Sequence, residues 1–281
     1  MKRRAIYFLI VSAILTSCAS SYNIQGTSNL SNLDGQMLYL KVVTNQTIKN
    51  LDSCDVLHGQ FKFVGTIDST KMANLYINDE NMLPLVLESG DISIEISQTQ
   101  QTVSGTPLND KLFAFLKSYD QLQNQSYELI HKHDIAIMDG SNMDVVNRQL
   151  SEEYILINER LDKLITSFIT ENFDNVLGPG VFMMVTNDYP YPVLTPWIDD
   201  IMSKATPTFK RDPYVSAYIA EAQRIQNIKN GLEAPVDAPR HPPLADGPMP
   251  PTPNQMAQPP HGNPARHDTR PLTTNSTTSQ Q

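Results

Sequence analysis

The spacing of hydrophobic side chains changes once along this chain, close to residue 106. Before that point apolar and polar residues alternate with a period of two, and Gly, Asn or Asp interrupts the alternation about every ten residues. After that point apolar residues recur at three- and four-residue steps. The first pattern is typical of strands with one buried face and the second of amphipathic helices. The sequence therefore predicts an α+β chain in which an N-terminal antiparallel β-sandwich-like module precedes an α-helical region.

The all-β module is predicted over residues 22–105. Ile92, Ile94 and Ile96 alternate with polar residues, as expected of a sheet with one buried face. His58-Gly59 is predicted to be a hairpin turn, because Gly59 can adopt positive φ, and Ser89-Gly90-Asp91 is predicted to be a second hairpin turn. The predicted strands cover 22–26, 37–44, 52–57, 60–65, 73–77, 84–88, 91–97 and 101–105.

The α-helical region is predicted over residues 106–230. Thr106 is placed to cap a first helix and Pro107 occupies its first turn. The segment 139–142 (DGSN) breaks this helix, and a second long helix over 143–172 would complete an antiparallel hairpin. Three shorter helices are predicted over 176–186, 193–204 and 213–230, the first of them interrupted by Gly178-Pro179-Gly180.

The composition changes again at residue 231. Twelve of the twenty prolines lie in residues 231–281, together with many Thr, Ser, Asn and Gln residues. Such a segment cannot bury enough apolar surface to offset its ordering entropy, so a disordered Pro-rich tail is predicted. Its Pro-x-x-Pro spacings, such as Pro239 to Pro242 and Pro248 to Pro251, suit polyproline-binding grooves, and the alternative is a simple spacer.

The first seventeen residues have the parts of a signal peptide: a basic start, an apolar stretch over 5–15, and small residues before Cys18. These eleven residues extend only about 16 Å as a helix, well short of the roughly 30 Å hydrocarbon core of a bilayer. Leu15-Thr16-Ser17-Cys18 resembles the lipobox of bacterial lipoprotein precursors. The resemblance implies cleavage before Cys18 and lipidation of that cysteine with acyl chains such as palmitate, so that 18–21 form a tether. The alternative is an ordinary secretory signal with a chance cysteine.

Charge and cysteine content limit the partners. Removal of Lys2, Arg3 and Arg4 with the signal peptide lowers the basic residues from 21 to 18 against 30 acidic ones, so the net charge falls from −9 to −12. That balance argues against nucleic acid and against docking on anionic lipid, so the membrane would be reached through the lipid on Cys18. Ala19-Ser20-Ser21 lacks the aspartate of an inner-membrane retention signal, which indicates the outer membrane, facing the periplasm.

Three segments resemble one family in their order and spacing. They are residues 52–65 (DSCDVLHGQFKFVG), 87–91 (LESGD) and 103–109 (VSGTPLN), and they resemble the domain of unknown function DUF4369. The resemblance covers about residues 22–120 and, more loosely, the helical region. In that family the domain often lies between a lipoprotein signal and a thioredoxin-like domain.

A thioredoxin-like domain would carry a Trp-Cys-x-x-Cys motif, in which the first cysteine is activated as a thiolate. Here Trp197 is followed by Ile198 and Asp199, and the sequence holds no such cysteine pair. The chain is therefore interpreted as the non-catalytic front part of such a protein, with neither an enzymatic activity nor a cofactor expected.

Several clusters are candidates for a binding site. Tyr189, Tyr191 and Trp197 with the intervening prolines form the densest aromatic segment and are a candidate partner-binding surface, the alternative being packing onto the helical hairpin. His131 and His133 are two residues apart on a helix and cannot easily share a metal, so no metal site is predicted. The acidic pairs Glu152-Glu153 and Asp199-Asp200 diverge in the same way and are interpreted as helix surface.

Cys54 is interpreted as a small buried hydrophobic residue, with a reactive thiol as the alternative. The leading hypothesis for the chain is a non-enzymatic envelope protein that binds another protein. One alternative is an accessory role in periplasmic thiol-disulfide chemistry. Another is binding of a small molecule or glycan between the β module and the helices.

Overall fold

The computed structural model describes residues 20–44 and 47–233. The predicted signal peptide, the lipidation site Cys18 and the predicted tail beyond residue 233 lie outside the described residues. The strands are β1 (Ser20–Ser28), β2 (Met37–Thr44), β3 (Thr47–Asp55), β4 (Gln60–Ile67), β5 (Lys71–Ile77), β6 (Glu80–Leu87), β7 (Gly90–Ile96) and β8 (Gln101–Ser104). The helices are α1 (Pro107–Met138), α2 (Met143–Glu171), α3 (Leu177–Thr186), α4 (Pro196–Lys204), α5 (Pro207–Lys210) and α6 (Pro213–Lys229).

The eight strands form two four-stranded sheets, ordered β4-β1-β7-β8 and β3-β2-β5-β6. The predicted α+β fold class, with a β-rich module before the helices, is confirmed. Five of the six strand pairs are antiparallel, whereas β1 and β7 run parallel, with Ile24 opposite Ile92. A parallel pair is feasible here because the long intervening chain, which builds the second sheet, returns β7 in the direction of β1.

The two sheets share one hydrophobic core. The alternating isoleucines Ile92, Ile94 and Ile96 are all buried, while Ser93 and Glu95 between them are exposed. Leu38, Leu40, Leu75 and Leu85 of the other sheet belong to the same buried cluster as these isoleucines. The apolar residues of each alternating pattern therefore lie on the side of the strand that faces the other sheet, as in a β-sandwich.

One of the two predicted hairpin turns is confirmed. His58 (φ 52°) and Gly59 (φ 70°) are the central residues of a two-residue turn in which Leu57 and Gln60 exchange backbone hydrogen bonds of 2.9 and 3.0 Å. Positive φ at both positions is the geometry of a type I′ turn, which matches the twist of the flanking strands.

The second predicted hairpin turn, Ser89-Gly90-Asp91, is wrong. β6 and β7 do not pair, because β6 is an edge of one sheet and β7 pairs with β1 and β8 in the other. The segment is instead a crossover between the sheets. Local composition indicates a change of direction but not the sheet in which the next strand will pair.

The long helical hairpin is confirmed: α1 and α2 are joined by 139–142, with Gly140 at φ 66° and the Asn142 side chain accepting a 3.1 Å bond from the Asp144 backbone. The predicted interruption at Gly178-Pro179-Gly180 is wrong, because α3 runs through all three residues. Pro179 lies in the first turn of α3, where a missing N–H breaks no helical hydrogen bond.

Both glycines of this segment are required by close packing. A Cβ atom on Gly178 would lie 2.4 Å from the carbonyl oxygen of Asn172, and one on Gly180 would lie 2.8 Å from Cγ of Met72. Because these positions have no side chain, α3 lies close both to the end of α2 and to β5.

A second hydrophobic core lies among the helices and includes Phe115, Phe168 and Phe182.

Candidate functional site

The β module is joined to α1 by buried hydrogen bonds rather than by apolar packing alone. Asn109, in the first turn of α1, has no exposed surface, and its side chain bonds to the backbone of Val86 at the end of β6. Its amide nitrogen also donates to Oγ1 of Thr106 at 2.8 Å. The joint therefore fixes the start of α1 on the second sheet.

The predicted cap at Thr106 differs in detail from the observed one. Thr106 is the N-cap residue, but its hydroxyl accepts from Asn109 and from no backbone N–H of the helix. Oε1 of Glu88 accepts from the backbone nitrogens of Leu108 and Asn109 at 2.8 and 3.2 Å. A carboxylate at this end of a helix also interacts favourably with the helix dipole. Glu88 is 20 residues away in sequence, so local capping rules could not identify it.

The outer part of the helical hairpin, residues 127–156, exposes many large apolar side chains. We call this part the outer hairpin. Nine of the seventeen large hydrophobic residues that are exposed in the described part of the chain lie there. They are Tyr127, Ile130, Ile135, Ile137, Met138, Val145, Tyr154, Ile155 and Leu156, with exposures between 44% and 85%.

The outer hairpin has little core of its own. Of its residues, all of which the structure describes, only Leu129 is buried, and Ile157 is the next buried residue of α2. The second core lies at the base of the hairpin and begins with Leu112 and Phe115 of α1 and with Ile165 of α2. Single exposed apolar residues are ordinary, but such a concentration indicates an interaction surface.

The candidate sites predicted from the sequence do not include this surface. The available signal was the presence of apolar residues beyond the one stripe that packs α1 on α2, for example Ile130 and Ile137 beside Leu129. A helix that packs against a single neighbour needs one apolar stripe, so the packing of α1 on α2 does not account for a second stripe.

A groove of about 410 Å³ lies between the β module and the helices. Met72 of β5, Gly180 of α3 and Tyr214 at the start of α6 are among the residues that line it. This volume is within the range of small-molecule sites, which is about 300–1,000 Å³. The other lining residues are Val43, Ser69, Thr70, Lys71, Asn74, Val176, Pro179, Met183, Asp212 and Pro213.

Intramolecular bonds occupy most of the polar groups that line the groove. Oδ1 of Asp212 caps α6 by accepting from the backbone nitrogens of Tyr214 and Val215 at 2.9 and 3.1 Å. The Tyr214 hydroxyl donates to Asn187 at 2.9 Å, and burial raises the pKa of Tyr214 above its ordinary value. Lys71 forms a 2.7 Å ion pair with Asp68. The groove is thus suited to holding a largely uncharged molecule.

The aromatic segment is mostly part of the helical core. Nε1 of Trp197 donates to Oγ1 of Thr166 at 2.8 Å, and its ring is stacked 6.3 Å from that of Phe182. Tyr189 packs against the same core, so of the three candidate residues only Tyr191 is exposed, at 47%. Nζ of Lys229 lies 4.9 Å from the Tyr191 ring centre. The segment therefore exposes one aromatic ring to solvent and does not form a continuous aromatic surface for a partner.

Cys54 lies half-buried on β3 and packs against the core of the β module. Burial raises the pKa of its thiol, and the nearby carboxylates of Asp52 and Asp55 act in the same direction. A raised pKa decreases the fraction of thiolate, which is the nucleophilic form.

The remaining candidates lie on the surface of the hairpin and of α4. Nδ1 of His133 is 3.7 Å from Oδ1 of Asp134, and His131 is exposed. Glu153 and Asp200 form ion pairs of 2.6 Å with Lys132 and Lys204. Across residues 20–44 and 47–233, no three His, Cys, Asp or Glu side chains are grouped as a metal site requires. None of the described helices is long and apolar enough to span a bilayer.

Residues 22–112 match the family model described as domain of unknown function (DUF4369). The match begins within β1 and ends in the second turn of α1, so it includes the joint formed by Glu88, Thr106 and Asn109. No curated protein matches the chain in sequence.

Proposed function

We propose that this chain, whose residues 22–112 match the DUF4369 family model, is a non-enzymatic envelope lipoprotein that binds another protein through its outer hairpin. The β module is the rigid support, and the joint at Asn109 fixes the hairpin on it. The lipid on Cys18 holds the protein at the outer membrane, facing the periplasm.

The lipid anchor is supported by the sequence Leu15-Thr16-Ser17-Cys18 after a short apolar stretch. Two or three acyl chains bind a bilayer far more firmly than one, because each buried methylene contributes about 0.8 kcal/mol. We expect the wild-type chain to incorporate labelled palmitate and to sediment with membranes. Cys18→Ala should lose both properties, and a variant that kept both would refute the anchor.

The proposal that the chain binds another protein rests on one observation, the nine exposed apolar residues of the outer hairpin. Exposed large side chains of this kind lose contact with water when a partner covers them, and the hydrophobic effect then stabilises the complex. The hairpin is also a suitable shape, since α1 has 32 residues and extends about 48 Å at 1.5 Å per residue.

A pull-down from detergent-solubilised envelopes tests this proposal. The full chain is compared with Ile130→Glu/Leu156→Glu, which places a charge on each helix of the outer hairpin. Val64→Glu is the matched control, because Val64 is 60% exposed but lies on β4. We expect the double variant to lose at least about tenfold in captured partner, the size of a typical interface hot spot, and the control to capture as the wild type does.

A second comparison in the same pull-down tests whether the Pro-rich tail contributes to partner binding. A chain that ends at Asn230 is compared with the full chain under the same conditions. Retention of the partner by both would support recognition by the folded part. A partner that only the full chain retains, or one that the hairpin double variant still captures in full, would overturn the proposal.

A second candidate function, binding of a small uncharged molecule or glycan, is favoured by the groove beside Met72 and Gly180. Its test is a thermal-shift screen with neutral oligosaccharides against the wild type and Thr70→Trp, which would fill the groove. A rise in melting temperature that the variant abolishes supports the site, and equal responses of both proteins reject it. The thiol-disulfide alternative receives no such support, because burial raises the pKa of Cys54.

A further inference from the structure

An ion pair between the two helices distinguishes one side of the outer hairpin from the other. Nζ of Lys132 and Oε2 of Glu153 form a 2.6 Å ion pair that joins α1 and α2 along one side. Residues two positions apart on a helix point about 200° away from each other, so Ile130 and Ser151 lie on the opposite side. We call this opposite side the apolar side. The helical period places there Tyr127, Ile130 and Ile137 of α1 and Asn147, Ser151, Tyr154 and Asn158 of α2.

The two helices contribute different shapes to the apolar side. Tyr127, Ile130 and Ile137, which are 67%, 61% and 55% exposed, follow one another at three- and seven-residue steps and form a ridge on α1. Asn147 and Ser151 on α2 have shorter side chains than the ridge residues, so the helix surface beside the ridge is lower there; we call this stretch the channel. Asp134 also falls on this side, with Oδ1 3.7 Å from Nδ1 of His133.

The channel can be covered at low energetic cost. The hydroxyl of Ser151 already donates to the carbonyl oxygen of Asn147 at 2.7 Å. A buried polar group is costly mainly when its hydrogen bonds are left unmade. An apolar side chain placed over Ser151 would therefore leave that hydroxyl satisfied.

A surface with a ridge and a matching channel is complementary to itself. A twofold axis brings the same patch of two subunits together, so the ridge of each copy meets the channel of the other. Tyr127, Ile130, Ile137 and Tyr154 are 53–67% exposed, which corresponds to roughly 100 Å² for each side chain and about 400 Å² of mostly apolar surface in total. That is close to the apolar share of a standard interface, which buries about 800 Å² per partner and is about 60% apolar.

We propose that the partner of the apolar side is a second copy of this chain, which packs there to form an antiparallel four-helix bundle from two outer hairpins. The inference rests on the proposed function and names the partner of the same surface. Bundle formation would bury the second apolar stripe of α1, which α2 leaves uncovered, as in other four-helix bundles.

Sedimentation velocity of the full chain in a non-ionic detergent tests the proposal. The variants are Ile130→Glu, on the apolar side, and Leu156→Glu, whose residue is 52% exposed and follows Glu153 by three positions, which places it on the side of the ion pair. Both positions are mid-helix and more than half exposed, so the two substitutions should have similar, small effects on folding. Circular dichroism checks that both variants remain helical.

The expected result is a dimeric wild type, a dimeric Leu156→Glu and an Ile130→Glu whose dimer dissociation constant is raised at least about tenfold. A monomeric wild type, or equal loss of the dimer in both variants, would overturn self-association. If a monomeric wild type still captured an envelope protein in the pull-down and the hairpin double variant did not, the proposed function would stand while this inference failed. Failure of both experiments would reject both.

Discussion

The side-chain amide of Asn109 and the backbone of Val86 form a reciprocal pair of hydrogen bonds. Nδ2 of Asn109 donates to the Val86 carbonyl oxygen, Oδ1 accepts from the Val86 nitrogen, and both distances are 2.8 Å. Asn109 thus occupies the place of a neighbouring strand residue where β6 ends. Because Val86 has no exposed surface either, water cannot replace these bonds if they are lost.

Asn109→Ala should therefore lower the free energy of unfolding by about 2–4 kcal/mol, because a buried donor and a buried acceptor lose their partners. Urea unfolding followed by circular dichroism measures the change. Asn81→Ala is the matched control, since the single bond from Asn81 to Asn74 is exposed at 3.3 Å. A change of similar size in the two variants would show that the joint has no special contribution.

Glu88→Ala should lower the free energy of unfolding by about 1–2 kcal/mol, as loss of an N-cap does, because the nitrogens of Leu108 and Asn109 lose their acceptor. Glu88→Gln keeps an acceptor oxygen without the charge and should recover part of that loss. The same urea titration distinguishes the two. Equal stability of Glu88→Ala and the wild type would contradict the capping role.

Gly178→Ala should destabilise the fold by about 1–3 kcal/mol, although Ala is normally favoured over Gly in a helix. The reason is the backbone oxygen of Asn172, 2.4 Å from the added Cβ, which cannot move without disturbing α2. Gly180→Ala meets the flexible side chain of Met72 and should cost less. Thermal unfolding of both variants tests the order, and a more stable Gly178→Ala would show that the close approach is not required.

Cys54 should react slowly with iodoacetamide in the folded protein and faster in urea, because burial raises the pKa of the thiol. The experiment uses a Cys18→Ser chain so that only one thiol is present. Since the folded pKa lies above the ordinary value of 9.0, the stabilisation from the neutral thiol is complete below pH 9.0 and is lost as the pH rises through the folded pKa.

This pH dependence can be isolated from other groups that titrate in alkali. Urea midpoints of the Cys18→Ser chain and of Cys18→Ser/Cys54→Ala are compared at pH 8 and pH 10. The chain that retains Cys54 should lose more stability between the two values. Identical losses, or alkylation as fast in the folded protein as in urea, would show that the thiol is not held in its neutral form.

Most of the local structure could be predicted from residue spacing. The alternation of Ile92, Ile94 and Ile96 identified a strand and its buried side, because side chains of a strand point to opposite sides in turn. His58-Gly59 identified a turn for the equally local reason that both residues tolerate positive φ. The helical hairpin followed from its three- and four-residue steps and from the break at Gly140.

The relationships between distant segments could not be predicted in this way. Nothing near Ser89-Gly90-Asp91 shows that β7 pairs with β1, because pairing depends on how two whole sheets pack. The cap that Glu88 provides to α1 and the bonds between Asn109 and Val86 join residues at least 20 positions apart.

The sequence by itself determined the type of most elements and the buried side of the strands and of the long helices, because these depend on neighbours within a few residues. The tertiary structure decided which strands share a sheet, where the groove beside Met72 opens, and which apolar residues of the hairpin remain uncovered. Ile130 and Leu129 are adjacent isomeric side chains on one helix, yet one is 61% exposed and the other 7%. The position of α2 makes that difference. Leu129 lies on the side of α1 that packs against α2, whereas Ile130 lies on a side that no other described helix covers.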